Sequence, residues 1–397
     1  MRILSNDYES NLPDSKNISW GGPGNFSRLF ADFAVKNGCH YYGLVFKSSG
    51  IKKPKIIKIT GNKKRRAYWK AYIPKKLREK IVNAASALDP VDIYKPFIDS
   101  IKDLLREIKP DIIFLNGFSD QAWALLKAGQ EMNIPVVMQH AGFMKIELTV
   151  YSDFFTPAGK KIFSDMEKEI GSLCRCEIFL NEWSLKKYSE LIAPVNPQRS
   201  LVIPLPFKTD RRENKKANDA PPYHIGIVAR WDRIKNHQAV LNIALEAKKA
   251  KLPWVFHAIT RIPRTNINKA LKNEYRRLIN VEEPRPFWRL PSFYRRMDLM
   301  LLPSHFDVSP TVVLEAAAEN VGTLISPNVG WVDYYKKNGA DDWIVDFSNT
   351  KKAVNRIKTL LSDPFPDKLI RTMINRHNPK NVFPKYLALF KKIKNKG

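Results

Sequence analysis

His224-Ile225-Gly226-Ile227-Val228-Ala229-Arg230-Trp231-Asp232-Arg233-Ile234-Lys235 and, further along, Asp307-Val308-Ser309-Pro310-Thr311-Val312-Val313-Leu314-Glu315 decide how this chain is read. In the first stretch an apolar, strand-like run gives way to a loop carrying two cations, Arg230 and Lys235. In the second, Asp307 and Glu315 bracket a loop-to-helix junction. Ser309 suits an N-cap, and Pro310 suits the first helical position, where its missing N–H would be unpaired anyway. The amides of Thr311 and Val312 would then face outward, and the helix dipole favours an anion there. Glu315 sits among Val312, Val313, Leu314 and Ala316, where a carboxylate is costly to bury without partners. It lies either on a narrow exposed face or against two vicinal hydroxyls. Alone, Asp307 is turn chemistry and the two cations are a solvated basic loop. Together, cations beside a helix start suit a diphosphate, and a carboxylate in the same helix suits sugar hydroxyls. The combination points to a nucleotide sugar.

Around these stretches, short β-branched runs alternate with amphipathic helices, as in a parallel sheet covered on both faces. In the first half the expected strands are 2–5, 41–46, 111–115, 135–139, 177–180 and 201–203, with helices at 26–36, 96–108, 120–133 and 182–191. In the second half they are 223–229, 254–258, 299–302 and 323–326, with helices at 236–249, 310–319 and 351–361. Between the halves, 206–222 is polar and Pro-flanked and reads as a linker. The expected organisation is therefore a domain at 1–205, a linker at 206–222, a second α/β domain at 223–378 and a basic helix at 379–397 that packs back on the first domain. At 397 residues, two domains are also the prior from length. In such sheets ligands bind where strands end, and each polar cluster above lies at such an end.

Composition adds partners. A formal charge of +28 implies a polyanionic neighbour: nucleic acid, an anionic membrane surface or an acidic substrate. Residues 47–80 hold fourteen Lys/Arg and a single acid, Glu79. Tyr68, Trp69 and Tyr72 interleave with them, and aromatic rings beside cations suit a membrane interface. A solvated basic face is the plainer reading, and nucleic acid the least favoured. No apolar run is long enough to span a bilayer. The start of the chain turns polar at Asn6, unlike a signal peptide. Cys39, Cys174 and Cys176 are sparse, and Cys174-Arg175-Cys176 is too tight for a zinc site, so neither disulfide nor metal is expected. A reducing cytoplasm fits this usage.

Val228-Ala229-Arg230-Trp231-Asp232-Arg233-Ile234-Lys235-Asn236 resembles the Gly-Arg-x4-Lys segment of the group 1 retaining glycosyltransferases. Pro303-Ser304-His305-Phe306-Asp307 through Glu315-Ala316 is similar to that family's Pro-Ser…Glu-x7-Glu-Ala signature, and Phe293-Tyr294-Arg295-Arg296-Met297-Asp298 to its usual lead-in. The resemblance implies the GT-B fold, two Rossmann-like, doubly wound α/β domains facing across a cleft. It implies that Arg230 and Lys235 hold the diphosphate leaving group, that Glu315 binds the ribose, and that Asp307 touches the donor sugar. Ser309 and Thr311 would join the donor site. Two departures stand out: Asp307 occupies a position usually held by Glu, and Ala229 replaces a Gly. Glu282-Glu283-Pro284-Arg285 falls where the family's base-binding backbone lies.

In the first half the resemblance is looser. Trp20-Gly21-Gly22-Pro23-Gly24-Asn25 follows the first strand and opens a helix, and glycines let a backbone approach a phosphate or sugar closely. The family has such a loop, which implies donor contacts for Gly21 and Gly22. His140 ends the run Val136-Val137-Met138-Gln139, as a histidine near the reacting sugar does in the family; a hydrogen-bonded structural histidine is the other reading.

The implied reaction is sugar transfer from a nucleotide diphosphate donor to a hydroxyl, with retention, on the front face and without metal or other cofactor. Domain closure would exclude water. Lipopolysaccharide-like glycolipid or cell-surface glycan synthesis at the cytoplasmic face of a membrane is the expected setting, with a glycan or lipid-linked acceptor. The rivals are a nucleic-acid-binding or -modifying protein, which lacks any helix-turn-helix, zinc or RRM signature, and a catalytically inactive GT-B scaffold.

Overall fold

The computed structural model describes residues 1–13, 22–59, 65–208, 220–265, 268–363 and 365–395. The chain divides into two compact units, Met1–Leu205 with Val382–Gly397, and Pro206–Asn381.

Among the described residues, the first unit is built on an eight-stranded sheet. Its strands are β1 (Arg2–Asp7), β2 (His40–Ser49), β3 (Lys55–Ile59), β4 (Arg66–Pro74), β5 (Ile112–Asn116), β6 (Val136–His140), β7 (Cys176–Phe179) and β8 (Ser200–Val202). They lie in the order β3-β4-β2-β1-β5-β6-β7-β8. The β3–β4 pair is antiparallel and the other neighbours are parallel. Every residue of β5 and β6 is buried, as expected of strands covered on both faces. The intervening helices start on side-chain caps: Asp89, Ser119, Thr156 and Asn181 each accept a backbone N–H of the first turn.

The basic run differs from its expected form. It folds as the end of β2, then β3, β4 and the helix Lys75–Val82, with 60–64 outside the described residues. Tyr68 and Trp69 are 3 % and 4 % exposed, so neither is an interfacial anchor. Adjacent strand residues point to opposite faces, and both faces of β4 are covered. Trp69 joins the core that contains Tyr94, Phe97 and Trp123 and stands edge-on to Tyr42 at 5.6 Å. Tyr68 lies over Gly43, where a Cβ would come within 2.5 Å of its ring. Tyr72 alone of the three keeps partial exposure.

The helix Pro379–Lys394 contributes to this unit from Val382 onward. Phe383 and Tyr386 pack on Phe26 with ring centroids at 6.0 and 5.3 Å, and Phe390 packs on Phe30 and Phe114 at 5.8 and 5.3 Å. Tyr386 donates its hydroxyl to Gln139 Oε1 at 2.6 Å.

The second unit has β9 (Tyr223–Val228), β10 (Trp254–Ile259), β11 (Ile279–Glu282), β12 (Leu299–Leu302) and β13 (Thr323–Ile325). All pair in parallel, in the order β11-β10-β9-β12-β13. The order runs outward from β9 in both directions, so the sheet reverses between β9 and β12. That switch point is where a doubly wound sheet leaves a crevice for ligand. Of the expected linker, residues 209–219 lie outside the described residues. Phe207 donates its amide to His377 O at 2.7 Å and packs on the second unit's core. Among the described residues no helix is long and apolar enough to cross a membrane.

Candidate functional site

The candidate site lies in the second unit, at the carboxyl ends of β9 and β12. After β9 the chain makes a 3-10 turn, Arg233–Lys235, begun by Asp232, whose carboxylate accepts the Ile234 amide at 3.0 Å. Asn236 follows with φ of 54°. This left-handed conformation suits asparagine. Its side chain caps the helix His237–Lys249 at Ala239 N, 3.3 Å, and donates to Pro303 O at 3.2 Å. His305 returns an amide to Ile234 O at 2.8 Å. These bonds stitch the loop after β9 to the loop after β12.

The stitching sets Lys235 against Asp307: Nζ donates to Oδ2, and each side chain is 17 % exposed. The Asp307 backbone is held in turn, its amide by Asn328 O at 3.3 Å and its carbonyl by Gly330 N at 2.9 Å. Arg230 is different. Its side chain is 73 % exposed, with Asp232 at 3.6 Å as its ion-pair partner. It is available to an incoming anion in a way that Lys235 is not.

The helix after β12 runs Thr311–Ala318. Ser309 is not its N-cap. Pro310 takes that place with ψ of 115° and no side-chain bond, because its extended backbone delays the helix by one residue. Pro310 O instead accepts Trp331 Nε1 at 3.1 Å. Ser309 is partly exposed one residue before the cap. One turn into the helix, Glu315 accepts Thr311 Oγ1 at 2.8 Å on one oxygen and the Tyr294 hydroxyl at 2.5 Å on the other. Burial raises the Glu315 carboxyl above its usual range, and the two hydroxyls pull it back. Each carboxylate oxygen can accept more than one bond, so both retain capacity for a ligand hydroxyl.

Two contributors were not singled out from sequence. Tyr294 belongs to the short helix Pro291–Tyr294 and is buried beside Glu315. His237 is buried under the loop that carries Arg230 and Lys235. Its signal was adjacency to Lys235, but a histidine opening a helix reads equally as surface.

A cavity of about 490 Å³ lies along β11, lined by Ile262, Arg276, Ile279, Asn280, Val281, Glu282 and Glu283. Glu282 is ion-paired with Arg285 and, at 2.6 Å, with Arg296. Among the described residues no cluster of three or more His, Cys, Asp or Glu is placed to hold a metal ion, and Cys39, Cys174 and Cys176 are buried free thiols.

In the first unit, His140 is 1 % exposed. Its Nε2 lies 2.9 Å from Glu177 Oε1, and its ring stacks on Phe179 at 4.6 Å and meets Tyr188 at 4.5 Å. It is therefore enclosed, in contrast to the position expected of a group facing a reacting sugar. The cause lies in β7 and the helix Glu182–Leu191, which supply the partners that cover it. Gly22 opens the helix Gly22–Lys36, whose first turn is tied to the sheet by Asn116 Nδ2 donating to Pro23 O at 2.9 Å. Gly21 lies outside the described residues.

Residues 208–378 match the family described as "Glycosyl transferases group 1". The second unit is a group 1 glycosyltransferase domain. The fold of the whole chain is GT-B. A sucrose-phosphate synthase from Thermosynechococcus elongatus superposes with a TM-score of 0.71 at 14% identity, over 100% of this chain and 99% of that one. A UDP-forming α,α-trehalose-phosphate synthase from Burkholderia xenovorans, in complex with glucose-6-phosphate, gives 0.69 at 12% identity, over 98% and 99%. An E. coli structure described as trehalose-6-phosphate bound with UDP-2-fluoro glucose gives 0.65 at 12% identity, over 99% of each chain. No curated protein matches the sequence.

Proposed function

We propose that this glycosyltransferase moves a hexosyl or related sugar from a nucleoside diphosphate donor to a hydroxyl acceptor, with retention and without a metal. The observation that carries the reading is the Lys235–Asp307 pair at the carboxyl ends of β9 and β12, with the buried Glu315 on the helix that follows β12, in a group 1 domain. Glu315 holds the ribose hydroxyls. Arg230, Lys235 and the start of the helix Thr311–Ala318 take up the charge that develops on the departing diphosphate. Asp307 faces the donor sugar and, before donor arrives, neutralises Lys235. The test is a panel of uridine, guanosine, adenosine and cytidine diphosphates by thermal shift, followed by the matching nucleotide sugars with mass spectrometry of product. Stabilisation by one diphosphate and release of that diphosphate from its sugar support the reading. A protein that binds none of the four does not act as proposed.

For the acceptor, the favoured reading is a glycan or lipid-linked hydroxyl at an anionic membrane surface, in cell-surface glycolipid or glycan synthesis at the cytoplasmic face. The supporting feature is the β3 edge of the first unit, where Lys52, Lys53, Lys55 and Lys58 are exposed together with Ile51 and Ile57. Cations near an anionic surface, with aliphatic side chains between them, suit a lipid headgroup region. A soluble sugar phosphate is the second reading, favoured by the likeness to the Burkholderia xenovorans enzyme in complex with glucose-6-phosphate.

A further inference from the structure

His237 is 4 % exposed and lies beneath the loop that joins β9 to the helix His237–Lys249. Its Nε2 is 2.8 Å from the carbonyl oxygen of Arg230, an atom that can only accept. Nε2 therefore carries the proton. Its Nδ1 is 3.0 Å from the Tyr275 hydroxyl and takes the complementary part, accepting from it. The Trp231 ring stacks on the imidazole at 4.6 Å and 22°, and meets Tyr275 edge-on at 4.9 Å and 89°. Burial, with the Lys235 charge as a smaller contribution, lowers the imidazole from its usual range to about 4, so it is neutral near pH 7.

We infer that His237 is a positioning residue for diphosphate binding: by holding the Arg230 carbonyl it fixes the path of the loop whose ends present Arg230 and Lys235. The inference rests on the donor reading above. The need for such a clamp follows from the geometry of that loop. The Arg230 side chain is 73 % exposed, and among the described residues its ion-pair neighbour is Asp232, on the same loop at 3.6 Å, so its tip is only loosely held. The far end of the loop is anchored separately, through Asn236 to Pro303 and His305 to Ile234. His237 secures the near end from below. A fixed backbone limits the conformations an arginine must give up when it meets a phosphate, and misplacement at this scale is costly to catalysis. The neutral tautomer matters here. A protonated ring would present a second N–H to Tyr275 and place a third cation beside Arg230 and Lys235. Tyr275, buried on the helix Lys269–Leu278, completes the clamp by fixing the ring's orientation.

The test compares wild type with His237→Leu, His237→Gln and Tyr275→Phe, using whichever of uridine, guanosine, adenosine or cytidine diphosphate the wild type binds tightest, and its parent nucleoside. Leucine fills the space but donates nothing, whereas the glutamine amide can donate to the Arg230 carbonyl. The expected result is diphosphate binding weakened about tenfold in His237→Leu, nucleoside binding unchanged, and diphosphate affinity largely restored in His237→Gln. Tyr275→Phe should fall between. A lowered melting temperature with unchanged diphosphate affinity overturns the inference, as does an equal loss for nucleoside and diphosphate. Absence of diphosphate binding by the wild type would instead overturn the donor reading itself, so the two failures are distinct.

Discussion

Lys235 and Asp307, separated by 72 positions in sequence, are hydrogen-bonded partners across the point where the second sheet reverses. An anion that recruits Lys235 must compete with that carboxylate. Two variants separate the roles. Lys235→Ala should lower turnover by roughly 2–4 kcal/mol of transition-state stabilisation, with little change in melting temperature because the pair keeps some contact with solvent. Asp307→Asn should tighten nucleoside diphosphate binding by up to about fivefold while turnover falls. Calorimetry on both variants decides. Weaker diphosphate binding in Asp307→Asn would show that the carboxylate is not a competitor.

Asp307→Glu restores the residue usual at this position in the resembled family. If Asp307 faces the sugar, one added methylene should shift preference among donors that share a base and leave nucleoside diphosphate affinity nearly constant. Product ratios from mixed donors measure this. Unaltered ratios would mean that the position does not read the sugar.

Glu315→Gln should weaken nucleoside and nucleoside diphosphate binding together, by about tenfold or more, since hydrogen bonds to a charged acceptor are the stronger ones. Tyr294→Phe acts on the same carboxylate from the other side. It leaves Glu315 one donor short and should cost about 1–3 kcal/mol of stability with a smaller effect on binding. Chemical denaturation and nucleotide titration of the two variants give opposite rankings if Glu315 holds the ribose. The same ranking in both assays would reduce Glu315 to a packing role.

The fold was most legible where strands are covered on both faces. Ile112–Leu115, Val136–Met138 and Leu299–Leu302 are continuous apolar runs, and the structure places strands there. The β3–β4 pair was hidden by charge. In Lys55–Ile59 and Arg66–Pro74, cations alternate with or interrupt apolar residues, and the run reads as surface. Only the pairing with β2 shows that Tyr68 and Trp69 face two different cores. His140 keeps two readings in sequence, a group near the reacting sugar or a hydrogen-bonded structural histidine, because Glu177, Phe179 and Tyr188, which enclose it, are distant in sequence. The donor-side residues were readable as types and spacings. The Tyr294 hydroxyl on Glu315 was not, because it depends on how a separate short helix packs.

A pH effect should come from Glu167. Burial raises its carboxyl from 4.5 to about 7, outweighing the amides of Lys145 and Met144 that it accepts at 2.9 and 2.7 Å; Glu147 adds to the rise and the Lys145 charge opposes it. Folded protein thus holds this proton more tightly than unfolded protein. The stabilisation is fully present below pH 4.5 and is lost as pH rises through about 7. Glu167→Gln should remove this part of the slope, on the order of 3 kcal/mol. Urea unfolding at closely spaced pH values compares the two. Parallel stability curves across that window would place the titration elsewhere.

Replacing Lys52, Lys53, Lys55 and Lys58 with Gln should release the protein from anionic vesicles, each cation near such a surface contributing on the order of 1 kcal/mol, screened by salt. Nucleoside diphosphate affinity should not change. Sedimentation with anionic and zwitterionic vesicles at low salt is the measurement. Equal wild-type binding to both kinds, or to neither, would favour the soluble acceptor.

The path of the chain through its two units has a consequence for biosynthesis. The second unit is one continuous segment, Pro206–Asn381, whereas the first is interrupted by it and resumes at Val382. A ribosome making this protein delivers everything the second unit needs before the first has received Phe383, Tyr386 and Phe390. Until then Phe26, Phe30 and Phe114 lack rings they pack against. The unit that begins first is therefore the one that finishes last, and its aromatic surface stays uncovered while the second unit is already able to fold.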